Sequence, residues 1–236
     1  VLTGGTGSTD ELILTADTTD TFSMGLATDL NNVTAFEKIT VLAGSTSTKT
    51  ANIFVNSSAV VNTGDTLTVD ASALGSSAKF FFTGETEAEA LQAENGSFNV
   101  TGGSGADIIA GGDGNDILKG GSGNDFLIGA GGSSTSLIGG NDDIDGGAGD
   151  DIIGTFGDHL DANDKISGGI SGTDTLQVYN QGVAGEILID SGFTKVTSIE
   201  ILSGKANALA PVPADVALTA TLNDKAKAAG IATVNT

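Results

Sequence analysis

An all-β solenoid with calcium-binding turns is the fold class predicted for this chain, and three observations predict it. Residues 102–128 read GGSGADIIA, GGDGNDILK, GGSGNDFLI: three tandem nonapeptides of GGxGxD, two apolar residues and one variable residue. Residues 101–177 hold 13 of the chain's 22 aspartates and none of its 8 glutamates. Relatives of the same turn stand on either side of the three nonapeptides, at Gly4 and Gly168, and fixed-period repetition of this kind favours a quasi-one-dimensional architecture.

Each part of the nonapeptide has a physical role. Glycines at positions one, two and four permit the positive φ angles of a tight turn repeated every nine residues. The apolar pairs Ile108/Ile109, Ile117/Leu118 and Phe126/Leu127 supply a stacked core, with one side chain inward per strand. Calcium takes six to eight oxygen ligands, and a glycine turn offers carbonyls without charge, so one short carboxylate per turn supplies the charge. A flexible Gly/Asp spacer has a similar composition. A spacer, however, has no reason to keep a nine-residue period with apolar pairs at fixed places. Asp113, Asn115 and Asp116 resemble the start of an EF-hand, but the glutamate that closes its twelve-residue loop is missing.

Gly102–Ala110, Gly111–Lys119 and Gly120–Ile128 each match, without a gap, the nonapeptide of the RTX (repeats-in-toxin) family, which the chain resembles. The resemblance implies a right-handed parallel β-roll, in which six residues form a calcium-binding turn, three form a strand, and two nonapeptides complete one coil. The candidate calcium residues of the repeats are Gly102, Ser104, Asp107, Gly111, Asp113, Asn115, Asp116, Gly120, Ser122, Asn124 and Asp125. Beyond them, Asp142, Asp143, Asp150, Asp151, Asp164, Asp174 and Asp10 are candidates from related turns. Several calcium ions are expected.

Counting by nines places Asp107, Asp125 and Asp143 on one edge of the coil. Asp116 then faces the other edge, with Ser134 as its next equivalent, and a weak or vacant calcium site is expected there because serine carries no charge. GGAGDDIIG at 146–154 restores the motif after a deletion of one residue relative to Asp143. Asp158, Asp161 and Asp164 could form an irregular calcium loop.

Nine lysines, no arginine and 30 acids give a net charge of −21, which repels nucleic acid and anionic membranes. Self-repulsion among the aspartates opposes compaction without cations, so folding and calcium binding are expected to be one linked equilibrium. Extracellular calcium modules bind at roughly 10⁻⁴ to 10⁻³ M, which implies an unfolded segment in a cytosol and a folded one outside the cell. The absence of cysteine makes metal the staple in place of disulfides. No apolar stretch of about 18 residues provides a membrane span. The start, Val1-Leu2-Thr3-Gly4, has no initiator methionine, basic n-region or long h-region, and the chain is expected to be a piece of a larger protein.

GGTGSTDELIL at Gly4–Leu14 aligns without a gap on GGISGTDTLQV at Gly168–Val178, pairing Asp10 with Asp174. A second echo follows each: Val33-Thr34-Ala35-Phe36-Glu37 and Val196-Thr197-Ser198-Ile199-Glu200. Between these modules, strands are expected at Asn52–Val55, Thr66–Val69, Lys79–Phe82 and Ser97–Val100. GDTLTVDASAL, Phe80–Thr83 and FNVTGGSGAD resemble what precedes the nonapeptides in RTX-type bacterial surface-layer proteins. Glu85–Glu94 reads as an acidic loop or short helix. After Pro211 and Pro213, Ala214–Ala229 shows a helical period at Val216, Leu218, Leu222 and Ala226, ended by Gly230. The expected organisation is a β-solenoid-like region over 1–100, a calcium-binding β-roll over 101–177, a β module over 178–210 and a helical cap or linker over 211–236.

No catalytic chemistry is expected. His159 is the sole histidine, which excludes an HExxH zinc site, and no GxSxG elbow is present. The expected function is a calcium-dependent structural protein of the bacterial cell surface. It would fold on calcium after secretion and assemble with copies of itself, as in a surface layer, with a cell-surface carbohydrate engaged through parts outside this chain. The alternative is the secretion and folding module of a larger extracellular enzyme or adhesin.

Overall fold

A computed structural model describes residues 2–3, 10–16, 22–24, 33–34, 36–43, 50–54, 66–84, 96–112, 114–129, 140–156, 160–180, 187–188, 190–206, 219–220 and 230–235. Two parallel sheets dominate. The nine-stranded sheet stacks Phe22–Met24, Thr50–Phe54, Lys79–Thr83, Ile108–Ala110, Phe126–Ile128, Ile152–Phe156, Thr175–Asn180, Ile201–Ala206 and Thr233–Asn235 in that order. The eight-stranded sheet stacks Glu11–Ala16, Lys38–Ala43, Thr66–Asp70, Ser97–Thr101, Ile117–Ser122, Asp143–Ala148, Lys165–Ser171 and Val196–Thr197. The chain alternates between the sheets while each strand pairs with the one a full coil away, so the molecule is a parallel β-solenoid.

Alternation of side chains across each strand makes the core. In Thr66–Asp70, Leu67 and Val69 point inward while Thr66 and Thr68 point out. Strand register turns these inward residues into ladders. One runs Ile53, Phe82, Ile109, Leu127, Ile153, Leu176, Leu202, and all of these residues are buried. The opposing ladder runs Ile39, Val69, Val100, Leu118, Ile144, Ile166, Val196. One side chain of each apolar pair faces the core, as expected, and it is the second: Ile109 and Leu118 are fully buried, whereas Ile108 and Ile117 are about two-fifths exposed.

The four strands expected between residues 45 and 100 are present within one or two residues at each end. The expected C-terminal helix is corrected. Thr219–Ala220 is a strand that pairs with Ile187–Leu188, and Gly230, at φ +97°, turns the chain into Thr233–Asn235 on the nine-stranded sheet. Helical spacing in an alanine-rich stretch is a weak preference that pairing with a neighbouring strand overrides. The remainder of 214–229, and Glu85–Glu94, lie outside the described residues. A 3-10 helix at Asp190–Lys195, unanticipated from the sequence, brings the chain to Val196 and buries Phe193.

Candidate metal centre

Two kinds of turn connect the sheets, and each forms one edge of the solenoid. Turns leaving the eight-stranded sheet end at Asp107, Asp125, Asp151 and Asp174, and those leaving the nine-stranded sheet end at Asp116, Asp142 and Asp164. All seven aspartates are buried.

A repeated hydrogen bond joins each column. The Asp107 N–H donates to Asp125 Oδ1 at 2.8 Å, Asp125 to Asp151 at 2.8 Å, and Asp151 to Asp174 at 2.9 Å. On the other edge Asp116 donates to Asp142, and Asp142 to Asp164, both at 3.0 Å. Each column starts on an aromatic residue: Phe80 N–H donates to Asp107 Oδ1 and Phe98 N–H to Asp116 Oδ1, both at 2.8 Å. Phe80 and Phe98 therefore hold, one coil earlier, the positions that aspartate takes afterwards. Their rings and that of Phe82 pack together, with centroids 6.4 Å and 5.4 Å apart along the series Phe80, Phe82, Phe98.

The second carboxylate oxygen explains the glycines. A Cβ on Gly102, Gly111, Gly120 or Gly146 would sit closer than 3.0 Å to Oδ2 of its own turn's aspartate and to the carbonyl of the matching glycine in the next coil. At Gly120 those atoms are Asp125 Oδ2 and the Gly146 carbonyl; at Gly146 they are Asp151 Oδ2 and the Gly168 carbonyl. With the carboxyl ionised both atoms are acceptors, which a hard cation would satisfy together; Oδ2 of Asp107 and of Asp116 also accepts the Gly103 and the Gly112 N–H, at 2.6 and 2.7 Å. Asp125 Oδ2 and Asp151 Oδ2 are buried without a hydrogen-bond partner. Unpaired buried carboxylate oxygens of this kind are costly unless a cation meets them.

Burial pushes these groups up from the usual carboxylate range, and neighbouring carboxylates add to the rise at Asp125, Asp142, Asp151 and Asp174. Asp125 and Asp142 reach about 7 and Asp151 about 6; Asp107 and Asp174 are raised as well. Hydrogen bonds from backbone N–H groups oppose the rise without cancelling it. Among the described residues no three His, Cys, Asp or Glu side chains converge on one point. A bound ion would thus take most of its oxygens from turn carbonyls, with the aspartates supplying charge. Calcium bound beside these aspartates would supply the positive charge that favours their ionised form.

The counted register is corrected beyond Gly129. Asp116 and Asp142 are 26 residues apart, as are Asp125 and Asp151, whereas Asp107 and Asp125 are 18 apart. The connection after Gly129 has thus gained eight residues, after which Asp142 to Asp151 resumes the nine-residue period with no deletion. Asp142, not Asp143, belongs to a column. Asp143 lies on the outer face, where the Lys165 ammonium bonds both its oxygens at 2.8 and 2.9 Å. Asp116 therefore meets a carboxylate in the next coil, and the weak site expected opposite Ser134 is withdrawn; Ser134 itself lies outside the described residues.

The other expected residues divide between the turn interior and the rim. Gly102, Gly111 and Gly120 line the cradles. Ser104 and Ser122 are exposed, and their backbone N–H groups donate to the Leu74 and Gly103 carbonyls. Asn115 and Asn124 are exposed rim residues whose Oδ1 atoms accept the N–H of Asn141 and Asp150. Asp150 is likewise exposed and accepts the Thr173 N–H. Asp113, Asp158 and His159 lie outside the described residues. Asp164 sits in its column and also accepts the Asp161 N–H at 2.8 Å.

The echoed modules share a local geometry. Asp10 N–H donates to Glu37 Oε2 at 2.7 Å, and Asp174 N–H to Glu200 Oε2 at 2.8 Å. They occupy opposite edges, because Asp10 leads into the eight-stranded sheet and Asp174 into the nine-stranded one. In GGISGTD the extra residue is Ile170, which is 89% exposed beside a register shift that keeps Asp174 in line. Glu37, Glu200, Phe80 and Phe98 are the column members that the nonapeptide period missed. Phe98 was within reach of it, standing 18 residues before Asp116.

Residues 101–135 and 139–153 match the family model of the RTX calcium-binding nonapeptide repeat, in four copies. The chain binds calcium, at several sites. The gap in the match falls in the connection that gained eight residues. Neither the curated proteins nor the solved structures contain a match to the chain. The solenoid itself extends beyond the matched residues on both sides, and RTX β-roll repeats are typically structural rather than catalytic. No helix among the described residues is long and apolar enough to cross a membrane.

Proposed function

We propose that this chain is a structural part of a secreted bacterial surface protein, folding on calcium outside the cell and assembling with copies of itself as surface-layer proteins do. The observation that carries this reading is the continuity of both sheets through and beyond the calcium columns, from Glu11–Ala16 to Thr233–Asn235. A dedicated folding appendage has no need of solenoid coils on both flanks of its metal turns, each closed by the same Asp–Glu contact. Calcium acts as the folding trigger, because the aspartates of each column cannot all ionise in a buried stack until positive charge joins them. The surrounding low-calcium cytosol then keeps the segment open, and the exterior closes it.

Electron microscopy and sedimentation of the protein with and without calcium test the proposal. Sheets or filaments that dissolve on adding a chelator support it. A calcium-folded protein that stays a monodisperse monomer overturns it in favour of a folding module for a larger extracellular enzyme or adhesin.

A further inference from the structure

The two outer faces of the solenoid differ in charge. On the eight-stranded sheet, outward positions carry Glu11, Asp70, Lys119, Asp143 and Asp145 among others. On the nine-stranded sheet, strand register aligns Asn52, Phe81, Ile108, Phe126 and Ile152 across five neighbouring strands. These residues floor a shallow groove, with Ile108 at 42% and Ile152 at 37% exposure. Among the described residues only two exposed acidic or basic side chains border it: Lys79 beside Phe81 at one end and Asp150 beside Ile152 at the other. Neither has an ion-pair partner among the described residues. A contiguous apolar strip on a chain of net charge −21 marks an interaction surface.

We propose that this groove is the contact between two copies of the chain, packed face to face about a two-fold axis parallel to the strands. The inference rests on the self-assembly reading above and supplies its surface. An axis between Ile108–Ala110 and Phe126–Ile128 reverses the strand order. It therefore lays Ile108 over the partner's Phe126, Phe81 over the partner's Ile152, and Lys79 over the partner's Asp150. The strip is thus self-complementary in both shape class and charge, as a two-fold interface requires. On the outer face of the eight-stranded sheet, by contrast, Lys38 and Lys165 are already paired within one copy, with Glu11 and Asp143.

The lack of native cysteine allows a direct test with single-cysteine variants in calcium. I108C, treated with a short bis-maleimide, should give a cross-linked dimer, and I117C on the opposite face should not. K79E should weaken association roughly tenfold, K79R should retain it, and K119E, with the same charge change on the other face, should leave it unchanged. If the wild type assembles while I108C does not cross-link and K79E associates normally, the contact lies elsewhere. That result overturns this inference and leaves the self-assembly reading intact. A wild type that remains monomeric in calcium overturns both. A monomer in which I108C resists a monofunctional maleimide shows the groove covered by its own chain, and also overturns the inference.

Discussion

The aspartate pair at 142 and 143 shows how much turns on one position. Asp142 is buried in a column and pushed to about 7, while Asp143 is half-buried on the outer face and paired with Lys165. Loss of a charged ligand in a buried site costs about 1.5–3 kcal/mol, so D142N should weaken calcium binding by roughly tenfold to a hundredfold. D143N removes only a surface ion pair worth about 0–1 kcal/mol and should leave calcium affinity unchanged. Isothermal titration of the two variants separates them, and equal losses would refute the register. Acid groups raised in the fold contribute stability that is fully present below the ordinary value near 3.8 and is lost as pH rises through about 6 to 7. The calcium-stripped protein should therefore melt at a lower temperature at pH 8 than at pH 5. Added calcium should raise the melting temperature most at the higher pH, as followed by circular dichroism.

At the scale of the strand, the nonapeptide separates two neighbours that look alike in sequence. Leu118 is fully buried in the ladder and Ile117 faces out. L118A should cost about 2–5 kcal/mol by leaving a cavity, and I117A well under that; chemical denaturation in saturating calcium measures both. The strand positions were legible because glycine turns and apolar pairs fix both ends of each short strand. Register was legible only while the period held: the dipeptide Asp142-Asp143 fits two alignments, and an insertion of eight residues shifts the choice. Thr219–Ala220 was read as helix because its strand partner, Ile187–Leu188, lies far away in sequence. The aromatic start of each column was hidden for another reason. Phe80 and Phe98 stand 27 and 18 residues before Asp107 and Asp116, on the nine-residue period, but carry no carboxylate to mark them.

Across the whole molecule, the solenoid changes its internal chemistry along its length. Coils around Phe80, Phe82 and Phe98 close on apolar side chains, and the following coils close on carboxylates. Amide hydrogen exchange should follow that boundary. On calcium removal, strands Ile117–Ser122 and Asp143–Ala148 should lose protection before Thr66–Asp70 and Lys79–Thr83, because only the former depend on joining like charges. Uniform loss along the chain would show that calcium stabilises all coils alike. The central claim, however, concerns where the ions sit. Crystals of the calcium-loaded protein, measured for calcium anomalous scattering, locate them directly. The account predicts peaks between successive turns, beside Asp125 and Asp151 on one edge, next to the Gly146 and Gly168 carbonyls, and beside Asp142 on the other. Peaks confined to the outer-face carboxylates Asp70, Asp143 and Asp145, with the buried columns empty, would contradict it.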